Sequence, residues 1–261
     1  MASKSRWLKW LKRTFAILAF MWLLICAIMY FFQEKLLFRP KVIAQSAAWN
    51  YDLGDEKPLE MDVKEVFLAS EFEGNVNALH FKARNSKGVV LYMHGNGGNI
   101  QTYLKRRNYF LGNGWDVMLM DYRGFGKSTG PLSEAGLDAD VEACWQHLSQ
   151  TFSEKDIIVY GHSLGSGFAT RLAAKHHPKM LILETPYTSL ADVGQWQYPW
   201  LPVRFLIKYP SESKAHVAKL DCPVYVFHGT DDHTIPYSQG KTMAETAKDC
   251  LLYTSPSPRD F

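Results

Sequence analysis

Cysteine is scarce. The 261 residues hold four, none in a CxxC spacing, which excludes a disulfide framework and a cysteine-based metal site. Cys26 lies in an apolar run and Cys250 in a tail of odd composition, so only a bridge between Cys144 and Cys222 stays open. Acidic residues are missing from the first thirteen positions, where Lys4, Arg6, Lys9, Lys12 and Arg13 gather. Once those five of the 29 basic residues are set aside, 24 remain against 26 acidic ones, a near-neutral body with no nucleic-acid footprint. Charge, proline and glycine are all missing from residues 14–32, and no repeat or low-complexity linker interrupts the body.

What fills residues 14–32 is "TFAILAFMWLLICAIMYFF". As a helix it is roughly 28 Å long, close to the hydrocarbon thickness of a bilayer. Trp7, Trp10, Tyr30, Phe31 and Phe32 flank it, as amphipathic rings do at membrane interfaces. The basic cluster precedes the span, and Lys35, Arg39 and Lys41 after it are partly offset by Glu34. The expectation is therefore a basic cytoplasmic tail (1–13), a single transmembrane helix (14–32), a connecting segment (33–62) and a domain outside (63–249). A cleaved signal peptide and a buried soluble helix are the competing readings; "FFQEKLLFRP" lacks the small residues of a cleavage site.

From residue 63 onward, short apolar runs alternate with helical stretches. Strands are predicted at Val63–Leu68, Val76–Phe81, Val89–His94, Val117–Asp121, Ile157–Tyr160, Met180–Leu183 and Val224–Phe227, with helices near 99–112, 133–150, 164–177 and 237–247. Continuously apolar strands suit a parallel sheet covered on both faces, an α/β fold. The first two, joined by "ASEFEGN", read as an antiparallel hairpin at one edge. Polar loops follow five of the strands: "HGNGGN", "DYRGFGKSTG", "GHSLGSG", "ETPYTS" and "HGTDDH". In open α/β sheets such loops share one site at the carboxyl ends of the strands.

"IIVYGHSLGSGFAT" runs strand, corner, helix. In such an elbow Ser163 lifts its hydroxyl above the sheet, and strand and helix pass so closely that Gly161 and Gly165 must be small. A serine held this way is a nucleophile wherever a base can take its proton. "YMHGNGGN", "DYRGFGKSTG", "GHSLGSG", "ETPYTSL" and "HGTDDHTIP", in this order, resemble the α/β-hydrolase superfamily. The likeness covers about residues 63–249 and is nearest to membrane-anchored Bem46-like and ABHD-type serine hydrolases.

That resemblance implies an α/β-hydrolase fold: a mostly parallel central sheet, helices on both faces and a short cap insertion at about 187–218. It also implies an oxyanion hole from the backbone N–H groups of Leu164 and Asn96, with Gly97 as the other candidate for the second donor. The family's acid falls on Asp232, with Asp231 as its neighbour; either could instead cap the helix near Pro236. His94 is expected to brace its loop, and Asp121 to pair with Arg123.

The base is what the sequence lacks. In the family a histidine follows the acid, and here only His233 does, next to Asp232 in sequence. His80, His147, His162, His176, His177, His216 and His228 occupy no such position. Residues 250–261 resemble the translation of a sequencing-library adapter, the mark of a metagenomic fragment. The expectation is that native sequence stops near Asp249, that the last strand and helix are missing with the catalytic histidine, and that the chain is catalytically crippled.

The implied activity is hydrolysis of carboxylic esters or thioesters through an acyl-enzyme, with no metal and no organic cofactor. Expected partners are the bilayer and a small-molecule or lipid-like acyl substrate, since Trp196, Tyr198, Trp200 and Phe205 fall in the cap; core packing is the competing reading of those aromatics. An amidase or peptidase on the same machinery, and a non-catalytic anchored scaffold, are the alternatives.

Overall fold

A computed structural model describes residues 2–51 and 62–257; residues 52–61 of the connecting segment and 258–261 of the tail lie outside the described residues. The helix α1 (Ala2–Leu37) runs without a break through the apolar stretch. Its segment Arg6–Leu37 has a mean hydropathy of 2.5 in its most apolar window, which is almost wholly unburied, so length and composition suffice to cross a bilayer.

The body is an eight-stranded sheet: β1 (Asp62–Ser70), β2 (Gly74–Lys82), β3 (Val89–Met93), β4 (Asp116–Met120), β5 (Ile157–His162), β6 (Met180–Glu184), β7 (Val224–Gly229) and β8 (Cys250–Ser255). Their order across the sheet is 1-2-4-3-5-6-7-8. β2 runs antiparallel to both β1 and β4, and every other neighbouring pair is parallel. The edge hairpin forms as expected. The first seven strands lie within two residues of their predicted bounds.

Alternation along each strand builds two cores. Leu91 and Met93, Met118 and Met120, and Ile157 and Val159 face the helices α2 (Glu134–Ser149) and α3 (Leu164–Lys175). Val90 and Tyr92, Val117 and Leu119, and Ile158 and Tyr160 face the helical stretch 100–111, where Ile100 and Leu104 close the opposite side. Helices on both faces explain why these strands read as unbroken apolar runs. Local chemistry starts the helices: the Ser133 hydroxyl accepts from the Gly136 N–H at 3.0 Å, capping α2. Cys144 and Cys222 are buried free thiols, so no bridge joins them.

Between β6 and β7 the expected cap appears as α4 (Leu190–Gln197), α5 (Val203–Leu206) and α6 (Lys214–Val217); α7 (Tyr237–Thr246) follows β7. The cap aromatics are not core: Trp200 is 54% and Phe205 90% exposed.

The tail departs from expectation. Residues 250–255 form β8, pairing with β7 from Cys250 opposite Val224 to Ser255 opposite Gly229. Tyr253 stacks on Phe227 at 4.9 Å. The reason is that the outer edge of β7 presents free N–H and C=O groups, which any extended segment of β-forming residues can satisfy. "CLLYTS" is such a segment whatever its origin. No helix follows β8 among the described residues.

Candidate functional site

Ser163 separates the end of β5 from the start of α3 and holds φ +50°, ψ −115°. A non-glycine residue there stores about 1–3 kcal/mol of backbone strain, which the surrounding fold must hold in place. Its N–H donates to the Glu184 carbonyl at 2.8 Å, and its side chain is half-buried rather than packed away. A Cβ on Gly161 would lie 2.6 Å from the Ala169 Cβ and from the Gly165 carbonyl oxygen. One on Gly165 would collide with the Met93 carbonyl and lie 2.8 Å from the His94 oxygen. Both glycines are therefore required by the close passage of β5, α3 and β3. Leu164 opens α3, so its N–H has no acceptor within the helix and sits at the positive end of the helix dipole.

The second proposed donor lies in the turn after β3. Asn96 is exposed, and its carbonyl accepts from the Arg39 N–H at 2.8 Å. Arg39 and Pro40 run parallel to Gly97 and Gly98, and the Lys41 N–H donates to the Gly98 carbonyl at 2.8 Å. Tyr103 donates its hydroxyl to the Gly97 carbonyl at 3.1 Å. With these carbonyls tied back, the turn has little freedom to rotate its amides. His94 is buried, with Nδ1 at 2.6 Å from the Gly95 carbonyl and Nε2 at 3.2 Å from the Asp121 carboxylate. It braces the loop.

Asp121 does not pair with Arg123, contrary to expectation. Its Oδ1 meets His94 and accepts from the Ile100 N–H at 2.9 Å, and burial pushes its carboxyl up against the opposing pull of His94. Arg123 turns instead to Asp140, with Nη2 at 2.8 Å and Nε at 3.0 Å, both side chains fully buried. Two residues along a loop, side chains diverge, and sequence adjacency carried no information on direction.

Asp232 follows β7. Its Oδ1 accepts from the Thr234 N–H at 2.7 Å and the Ile235 N–H at 2.9 Å, so one oxygen holds the loop ahead of α7. The helix itself starts at Pro236 with no side-chain cap, so the expectation that Asp231 or Asp232 caps it is not met. Oδ2 lies 3.9 Å from Nε2 of buried His228, which is 2.9 Å from the Ile235 carbonyl. Asp231 is exposed. β5 and β7 are separated only by β6. Ser163 and Asp232 therefore both follow the carboxyl ends of parallel strands that flank β6. Among the described residues no histidine ring is hydrogen-bonded to Ser163, and His233 is exposed.

One buried carboxylate escaped the sequence reading. Glu184, at the end of β6, accepts from Arg106 at 2.8 Å and from the Tyr160 hydroxyl at 2.6 Å, and lies 3.9 Å from Nε2 of His162. Burial pulls His162 below the usual imidazole range, Glu184 opposing. For Arg106, burial pulls the guanidinium down, but Glu184, Tyr92 and Tyr160 together with the Glu184 hydrogen bond raise it above its usual value. A glutamate closing an apolar strand was the available signal, since such a charge needs a partner when buried.

Comparison with known proteins meets this geometry. A family model described as serine aminopeptidase, S33, matches residues 84–210. The chain is 38% identical over 170 residues to an uncharacterized Mycobacterium tuberculosis protein, covering 63% of this chain and 59% of that one. It is 31% identical over 191 residues to the lysophosphatidylserine lipase ABHD12 of Danio rerio, covering 63% and 48%. Alpha/beta hydrolase domain-containing protein 17B of Homo sapiens is 29% identical over 212 residues, covering 78% and 69%. Among solved structures, an alpha-beta hydrolase from Vibrio vulnificus superposes with a TM-score of 0.64 at 19% identity, over 74% of this chain and 73% of that one.

The chain has the α/β-hydrolase fold, and its sequence is similar to proteins of the α/β-hydrolase superfamily. A Pyrococcus furiosus esterase shares the fold as well, with a TM-score of 0.64 at 18% identity over 84% of this chain and 90% of that one. The matched part spans 48% to 59% of the length of the first three curated relatives. The curated relatives it matches include ABHD-type proteins, one of them named a lysophosphatidylserine lipase.

Proposed function

We propose that this α/β hydrolase is a membrane-anchored serine hydrolase that cleaves carboxylic ester or thioester bonds through an acyl-enzyme. The observation that carries the reading is the strained backbone of Ser163, φ +50°, between two glycines that no other residue could replace. A fold with no use for an exposed hydroxyl has no reason to hold that strain. In this reading Ser163 Oγ attacks the acyl carbonyl while a base takes its proton. The Leu164 and Asn96 amides receive the developing oxyanion, and the tetrahedral intermediate collapses to expel the alcohol or thiol. Water then releases the acid. The free oxygen of Asp232 would orient the imidazole and stabilise its cation. That imidazole is not among the described histidines, which suits a chain slowed at the proton-transfer step. The lipase name of one relative and the apolar helix α1 support an acyl substrate met at a membrane, with the amino terminus in the cytoplasm and the domain outside.

The test is fluorophosphonate labelling with and without added imidazole. Slow labelling at Ser163, accelerated by imidazole and abolished in Ser163→Ala, is the expected result. Turnover of p-nitrophenyl esters at rates typical of a complete triad, without imidazole, would show that the base is present after all. No labelling under either condition would favour the anchored scaffold. The description of the matched family model favours one further reading, peptide-bond cleavage on the same elbow. Faster acylation by an aminoacyl p-nitroanilide than by a p-nitrophenyl ester would select it.

A further inference from the structure

α1 does not simply lead away from the domain. Gln33, nearly buried, donates to the Leu206 carbonyl at 3.0 Å and accepts from the Lys208 N–H at 2.7 Å, clamping the helix to the cap. Further down, the Trp22 indole donates to the Trp200 carbonyl at 3.2 Å. Around the Gln33 clamp lies a cleft of about 150 Å³, walled by Met29 and Leu36 of α1 and by Val193, Leu201 and Leu206 of the cap. At about 30 Å³ for a water-sized group, it has room for some five such groups. Gln33 spends its amide on the clamp, which leaves the cleft a mainly apolar lining, with Arg39 and Gln197 its other polar members.

The position of the cleft matters more than its size. Arg39 also lines it, and the Arg39 N–H holds the Asn96 carbonyl of the proposed oxyanion turn. Val193 packs with Ile235, whose N–H holds Asp232. The inner side of the cleft thus touches the supports of both the oxyanion turn and the acid. On the outer side, Leu24, Ile28 and Phe32 of α1 and Trp200 and Phe205 of the cap are exposed. Trp200 sits beside the middle of the apolar helix, so a bilayer that takes α1 also covers this rim of the cap.

We infer that the cleft between α1 and the cap binds a segment of about five carbons of one fatty acyl chain drawn sideways from the bilayer, with the anchor helix itself as one wall of the site. This rests on the membrane-anchored reading above, and it makes α1 part of the binding machinery rather than a tether.

The experiment uses the full chain with Ser163→Ala in phosphatidylcholine nanodiscs that carry a phospholipid with a diazirine near the end of one acyl chain. After irradiation, adducts are mapped by mass spectrometry. Expected are adducts on Val193, Leu201 or Leu206 in addition to those on the outer face of α1. Filling the cleft by Leu206→Trp, or by Leu36→Trp from the exposed helix side, should lower the cap adducts about tenfold, the loss expected from excluding two methylenes. Adducts at Phe15 and Leu18 should be unchanged. Cap adducts that persist in both folded variants, or their absence beside strong labelling of Phe15 and Leu18, would overturn the inference. A chain that never enters the discs overturns the anchored reading along with it. Failure of Ser163 to take fluorophosphonate while cap adducts respond to both tryptophans would sink only the hydrolase reading.

Discussion

At the scale of single residues, Gly165 shows how narrowly the elbow is built. Its hypothetical Cβ meets main-chain carbonyls of β3 and the following turn, which have no rotamer to yield. Gly165→Ala is therefore expected to cost about 1–3 kcal/mol or more by overpacking, read as a lower urea midpoint, and to abolish labelling of Ser163. A second residue-scale case is Arg123, whose guanidinium is buried with Asp140 as its only carboxylate partner among the described residues. Asp140→Ala leaves that charge unpaired and should cost about 3–5 kcal/mol. Equilibrium unfolding checks the loss, and an unchanged midpoint would show that Arg123 finds another partner or water.

Two histidines give the stability a pH dependence whose sign follows from burial. Desolvation holds His162 and His228 below their usual value near 6.5, with Glu184 and the Ile235 carbonyl respectively opposing. The unfolded chain then binds protons that the folded chain refuses. Their contribution is fully present above about pH 6.5 and is lost as pH falls through the lowered folded values. Urea midpoints should drop from pH 7.5 to 5.5, and the slope should flatten in the double variant His162→Gln/His228→Gln. An equally steep slope in that variant would assign the effect to His147 and His216, which burial also holds below the usual imidazole range.

At the scale of elements, the strands were legible because each reads as a β-rich run between turn residues, and the two-residue agreement of their bounds reflects that. The expected helix at 99–112 was not a single element: it breaks into Ile100–Tyr103, Leu104–Arg106 and Arg107–Leu111. The tail was misjudged for the opposite reason. Its likeness to foreign sequence said nothing of the free edge beside it, which accepts strand partners through backbone alone. β8 leaves Leu251 and Tyr253 half-exposed, so its contribution is modest. Deleting residues 250–261 should cost about 1–2 kcal/mol through the lost Tyr253–Phe227 stack and ladder, and should increase light scattering as the edge of β7 opens. A midpoint unchanged by the deletion would mean that β8 is not formed in solution.

At the scale of the whole molecule, charge and apolar length set the relation to the bilayer. In the proposed topology, replacing Lys9, Lys12 and Arg13 by Glu removes the charge bias that would keep the amino terminus inside. The expected outcome is a population with inverted topology, detected by protease protection of the domain in sealed vesicles. An unaltered protection pattern would assign orientation to the folded domain instead.

The sequence by itself determined the elements, the elbow and the apolar helix, because each is written in local spacing: alternation, a Gly-x-Ser-x-Gly corner, nineteen uncharged residues. Tertiary structure alone decided that Arg39 and Lys41 tie the turn at Asn96–Gly98, that Asp121 serves His94 while Arg123 serves Asp140, and that the apolar helix α1 walls a cleft with the cap. Those partners are far apart along the chain or diverge from adjacent positions. Their pairing is set by how the layers stack and which buried polar groups must be satisfied, a constraint that exists only once the sheet has closed around them.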